Sequence, residues 1–153
     1  MLKIPPPILV LILVISNYIS SKKIDLINLP NQTLLSILIF FIGILILIIP
    51  VFNFVKSKTT IDPIKFKKVN NLVTSGIYKY SRNPMYLGLL IVIISTSIFY
   101  LTIFSITTPF IFYFWINRFQ IEREEIFLTK KFGQKYILYT VSYTHLRAHE
   151  TIL

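Results

Sequence analysis

From Leu34 to Phe54 the chain reads LLSILIFFIGILILIIPVFNF, and only Ser36, Gly43, Pro50 and Asn53 interrupt an otherwise apolar run. About 20 such residues cross a bilayer core of roughly 30 Å, so the pattern predicts a transmembrane helix. Three more apolar segments follow the same logic at shorter length. Ile4–Ile19 begins with Pro5-Pro6-Pro7, residues that can precede a helix but not lie in its regular interior. Lys3 ahead of it and Ser20-Ser21 behind it also fit a signal peptide, but no Ala-x-Ala-like site is present, and a retained anchor is expected. Pro84–Phe104 and Pro109–Phe119 are separated by Ser105-Ile106-Thr107-Thr108, which reads as a tight helical hairpin whose second arm begins near Ile103. Beyond it, Asn117 to Lys131 reads as an amphipathic helix with Ile121, Phe127 or Leu128, and Phe132 as its apolar stripe and Gly133 as its C-cap. The predicted fold class is all-α: a polytopic membrane protein with about four transmembrane helices, a helical hairpin and a cytoplasmic C-terminal amphipathic helix.

Charge adds an orientation. Lys56, Lys58, Lys65, Lys67, Lys68, Lys79 and Arg82 lie between the second and third spans against a single Asp62, and Arg118, Arg123, Lys130, Lys131 and Lys135 follow the fourth. The first loop offers only Lys22 and Lys23. The positive-inside rule then places the N-terminus, the basic loop and the C-terminal segment in the cytoplasm, and a bacterial or archaeal inner membrane is the expected location. The net charge of +10 is accounted for by topology and anionic lipid heads, and with no recognised motif beside it, nucleic acid is not an expected partner.

Composition narrows the chemistry. The 153 residues allow one domain, and their hydrophobic fraction of 54% is high for a soluble one. Zero cysteines exclude disulfides, thiolate catalysis and the usual zinc sites, and no metal is expected. The only histidines, His145 and His149, fall in the stretch VSYTHLRAHETIL, which also holds the only alanine, Ala148. That composition departs from everything upstream, so residues 1–140 are taken as the domain and 141–153 as an atypical, non-native tail without function.

The hairpin carries both its ends to one face. At the first end lies SRNPMYLG, Ser81 to Gly88, with Asn83 placed as N-cap and Pro84 as the first helical residue. The amides of Met85, Tyr86 and Leu87 then lack intrahelical acceptors, a setting suited to a carboxylate or phosphate, and Arg82 adds a fork of donors. Gly88, one turn in, allows a ligand or a neighbouring helix to approach closely. The plainer reading is an ordinary capped span with Arg82 snorkelling and Tyr86 in an interfacial belt. At the second end, neither Glu124 nor Glu125 has a basic residue three or four positions away, while Glu122 can pair with Arg118. The acids therefore face either a cationic ligand or the lysines at 65–68 and 79.

GIYKYSRNPMYLG, followed about 30 residues later by I-x-R-E-E-x-x-L-x-x-x-F-G-x-x-Y-x-x-Y, resembles the isoprenylcysteine carboxyl methyltransferase and phospholipid methyltransferase family of integral membrane enzymes. The resemblance covers roughly Val73 to Tyr139. It implies S-adenosylmethionine as cofactor, held in a cytoplasm-facing pocket closed by the segment after the last span. Tyr78, Arg82, Asn83, Pro84, Tyr86 and Gly88 match on the loop side, and Glu124 and Glu125 match the paired acids. Many members carry histidine where Asn83 stands, and both side chains can hydrogen-bond and cap. After Tyr139 the family continues into a valine- and arginine-containing end that the tail replaces here. The implied reaction is methyl transfer to a lipid-like acceptor entering from the bilayer, with an isoprenylcysteine-type carboxylate favoured and a phospholipid amine next. No catalytic residue and no oligomeric state follow from the motif. Membrane sterol reductases, which use a nicotinamide cofactor, have a similar end of chain, but their motif differs at the positions of Met85 and Leu89, and a phosphate-rich cofactor sits poorly beside two glutamates. A catalytically silent membrane protein that retains the motifs is the remaining alternative.

Overall fold

The computed structural model of the protein describes residues 4–24, 27–56, 76–79, 81 and 83–141. Arg82, the lysines between 57 and 75, and the tail from 142 onward with both histidines lie outside the described residues. Within them there are helices and no strands. In chain order these are α1 (Pro6–Ser21), α2 (Gln32–Lys56), a 3-10 turn (Gly76–Lys79), α3 (Pro84–Tyr100), a second 3-10 turn (Ser105–Thr107), α4 (Thr108–Ile116), a π-helical turn (Asn117–Ile121) and α5 (Glu122–Phe132). A further helix, α6, covers 134–141.

The four expected spans are not matched by helix length. Among the described residues one helix, α2, is long and apolar enough to cross a membrane, over Gln32–Phe52. Helices α1 and α3 are apolar but run only 16 and 17 residues. At 1.5 Å per residue these reach about 25 Å, short of a full hydrocarbon core.

The reason α3 stops at Tyr100 rather than Phe104 is local. Leu101 takes φ 29°, a left-handed conformation that a leucine rarely adopts, and ends the helix. Thr102 and Ser105 then form a reciprocal pair. Thr102 N–H donates to Ser105 Oγ (2.9 Å) and Ser105 N–H to Thr102 Oγ1 (3.0 Å), the arrangement of a capping box with serine in the acidic position. The chain therefore turns at Leu101–Thr102, upstream of the expected Ser105–Thr108. The second arm does start near Ile103, and Pro109 falls inside the first turn of α4, where its missing N–H costs nothing.

Packing runs inside-out relative to a water-soluble bundle. An apolar centre exists, formed by Leu9, Val10 and Leu13 of α1, Val92 and Ile93 of α3, and Phe112 and Ile116 of α4. Beside it the buried positions are polar: Asn17, Ser20, Ser95, Ser97, Thr102, Ser105 and Thr108. Asn17 Nδ2 donates to Thr108 Oγ1 (3.2 Å) and Thr96 Oγ1 (3.4 Å), and Ser20 and Thr102 hydroxyls meet at 3.1 Å. Meanwhile Leu11, Phe41, Leu45, Phe52 and Phe114 are exposed by 59–69%. Hydroxyl and amide contacts between helices, with large apolar side chains turned outward, suit a lipid surround.

α2 packs on α3 through two glycines. A Cβ at Gly43 would lie 3.0 Å from Val92 Cγ2, and one at Gly88 would lie 2.7 Å from Leu47 Cγ and 3.1 Å from the Gly43 carbonyl. The backbones approach this closely because neither position carries a side chain. Of the two uses expected for Gly88, the structure fills its open face with the neighbouring helix.

Candidate functional site at the end of the hairpin

Asn83 and Pro84 stand where the sequence puts them, at the N-cap and first helical positions of α3. The Asn83 carbonyl accepts the first helical bond, from Leu87 N–H at 3.1 Å. Its side chain makes no capping hydrogen bond; instead its backbone N–H donates to Ser81 Oγ at 3.3 Å. Asn83 is therefore a cap by position and not by side chain.

Tyr86 lies in the first turn of α3, and its hydroxyl donates to Glu124 Oε1, 38 positions later in the chain. Gln120 Nε2 donates to the same oxygen at 2.9 Å. Among the described residues no donor reaches Glu124 Oε2. Removal from water pushes the Glu124 carboxyl above its ordinary range, and the charge of Glu125 adds to the effect, while the hydrogen bonds from Tyr86 and Gln120 work against it. Glu125 is half-buried, and its side chain leaves the helix about 100° further round. Its carbonyl accepts from Thr129 Oγ1 at 2.7 Å. Glu122 pairs with Arg118 at 2.9 Å on the exposed face, as the spacing predicts.

Tyr78, in the 3-10 turn before α3, is buried beside this pair. Burial pushes its phenol up, and the nearby Tyr139 and Glu124 push it further, so it stays protonated. Tyr139 O–H donates to the Tyr78 carbonyl at 2.7 Å, across 61 positions. Helix α6 is thereby tied over the entrance to α3, and the buried Tyr136 ring lies 6.2 Å from that of Tyr139.

The structure thus brings together Tyr78, Tyr86 and Glu124, with Asn83 and Pro84 at the same helix end. Two participants, Gln120 and Tyr139, are not among the residues expected from the sequence. Gln120 precedes Glu124 by four positions, a helical spacing at which an amide pairs as well as a cation does. Tyr139 ends the second motif, and its bond to Tyr78 follows from the fold, not from any local pattern.

No curated protein and no solved structure matches the chain. Residues 31–135, which run from the start of α2 through the first motif segment and the hairpin and into the second as far as Lys135, match the phospholipid methyltransferase family, and the chain belongs to that family.

Proposed function

We propose that the protein transfers the methyl group of S-adenosylmethionine to a lipid-like acceptor at the cytoplasmic face of a membrane, in a bacterium or archaeon. The observation that carries this reading is the Tyr86–Glu124 contact, which joins the two segments that carry the resemblance at one end of the hairpin.

The residues present fit the cofactor. Glu124 Oε2 is available to accept from a ribose hydroxyl or an ammonium. The first turn of α3 behind Asn83 and Pro84 suits a carboxylate. The rings of Tyr78 and Tyr86 suit a sulfonium, a cation–π contact of about 0.5–2 kcal/mol. Arg82 and Glu125 are added by resemblance, and Gly88 by setting the α2–α3 approach beneath the site. When bound, S-adenosylmethionine supplies a methyl group on an excellent leaving group. The chain's part is then to align the acceptor and keep water out, and the Tyr139–Tyr78 tie closes α6 over the site for that purpose.

A carboxylate acceptor of the isoprenylcysteine type brings no proton to remove. A phospholipid amine must lose one, and the description of the matching family favours it. The outward apolar and inward polar partition supports α1, α3 and the run from α4 into the π-helical turn as spans beside α2, with short spans met by local thinning of the bilayer. The test is incubation of membranes carrying the protein with methyl-labelled S-adenosylmethionine, followed by lipid extraction. Base-stable label in lipid marks an amine, base-labile label marks an ester, and no label in lipid contradicts the proposal.

A further inference from the structure

Glu124 meets Tyr86 because the helix leading to it is wider than an α-helix for one turn. Phe112 and Ile116 mark the face of α4 that is buried in the bundle. At 100° per residue, an uninterrupted α-helix would place Glu124 about 120° around the axis from Phe112, turned away from α3. In the π-helical turn, Glu122 N–H reaches back to the Asn117 carbonyl, five residues earlier. That turn absorbs one extra residue and returns Glu124 to within about 20° of Phe112. At the start of the turn, the Tyr113 carbonyl accepts both the Asn117 backbone N–H and its side-chain amide, the latter at 2.9 Å.

The same turn carries Gln120. The last torsion of a glutamate is soft, so a carboxylate held at one point still rotates. Tyr86 from α3 and Gln120 from the turn both donate to Oε1, so two donors restrain the carboxyl and Oε2 is left without a donor among the described residues.

We infer that the π-helical turn is a phasing device that aims Glu124 at the cofactor, and that Gln120 is a positioning residue that selects the oxygen left to bind it. The inference rests on the methyltransferase reading and adds residues to it. It makes an unusual demand on chain length. Deleting Arg118, whose side chain is 72% exposed, converts the wide turn to ordinary α-helix and leaves Glu124 in phase. Inserting one alanine between Arg118 and Phe119 swings Glu124 through about 100°.

The experiment is equilibrium binding of labelled S-adenosylmethionine to the purified full chain in detergent, on monodisperse material. The deletion variant is expected to bind within about threefold of wild type, as for a change at an exposed position. The insertion variant is expected to lose binding. Gln120→Leu, which keeps the length and carries the test should the insertion not fold, is expected to bind about tenfold more weakly. Gln120→Lys, which restores a donor, recovers most of that loss, and acceptor KM moves in neither. Wild-type affinity in Gln120→Leu, or equal loss in the deletion and insertion variants, overturns the inference. Absence of binding by the wild type itself overturns the methyltransferase reading and the inference with it.

Discussion

The Tyr86 hydroxyl donates to Glu124 Oε1, so a side chain in the first turn of α3 and one in the first turn of α5 meet after the chain has gone out through α3 and returned through α4. The contact links an aromatic at a helix N-terminus with a carboxyl that burial has made reluctant to ionise. Each partner sets the other's geometry, and Gln120 completes the arrangement from the same side as Glu124.

Tyr86→Phe keeps the ring and removes the hydroxyl. A hydrogen bond to a carboxylate contributes about 1.5–3 kcal/mol. We expect affinity for S-adenosylmethionine to fall about tenfold or more, read by equilibrium dialysis, while the α2–α3 packing is untouched.

Glu124→Gln separates binding from stability. The folded protein holds the Glu124 proton more tightly than the unfolded chain, so its contribution is full below the ordinary value of 4.5 and is lost as pH rises through the elevated range. The glutamine cannot ionise. The variant without cofactor should therefore melt above wild type at neutral pH, and the gap should close as pH falls toward 4.5. Cofactor binding should fall at the same time. A melting gap that widens on acidification contradicts the assignment.

Gly88→Ala tests the helix approach. Its methyl group would stand 2.7 Å from Leu47 Cγ and 3.0 Å from the Leu47 backbone nitrogen, which forces α2 and α3 apart. A loss of about 1–3 kcal/mol is expected from overpacking, seen in thermal unfolding of the detergent-solubilised protein.

Tyr139→Phe releases α6 from the Tyr78 carbonyl. The cost is about 1 kcal/mol, the net worth of one hydrogen bond. Hydrogen exchange should rise in 134–141 and around Tyr78 while α1 and the centre of α3 keep their protection.

The sequence carried the helical class, the hairpin and the identity of the meeting point, because apolar run length, prolines and acidic motif residues each have a direct physical reading. The start of α3 at Pro84 and the Gly133 C-cap, with φ 51° and its N–H on the Thr129 carbonyl, were legible for the same reason. What it concealed depends on long-range geometry. Leu101 in a left-handed conformation has no local signal, and the apolar run continues to Phe104 although α3 ends at Tyr100. The hydroxyl seam around Asn17 joins α1, α3 and α4 through residues that look incidental in each segment alone. The π-helical turn breaks the 3.6-residue periodicity that makes a helix legible, and Gln120 is an uncharged partner that charge pairing alone does not pick out.

A double-mutant cycle tests the central contact most directly. Thermal unfolding of the detergent-solubilised full chain is measured for Tyr86→Phe, for Glu124→Leu and for the two combined, with Tyr86→Phe and Glu122→Leu, on the exposed face, as the control pair. The predicted result is a coupling of about 0.5–3 kcal/mol between positions 86 and 124, with additivity within about 0.5 kcal/mol for 86 and 122. Additive losses at 86 and 124, or equal coupling in both pairs, would contradict the shared site on which the proposed activity depends.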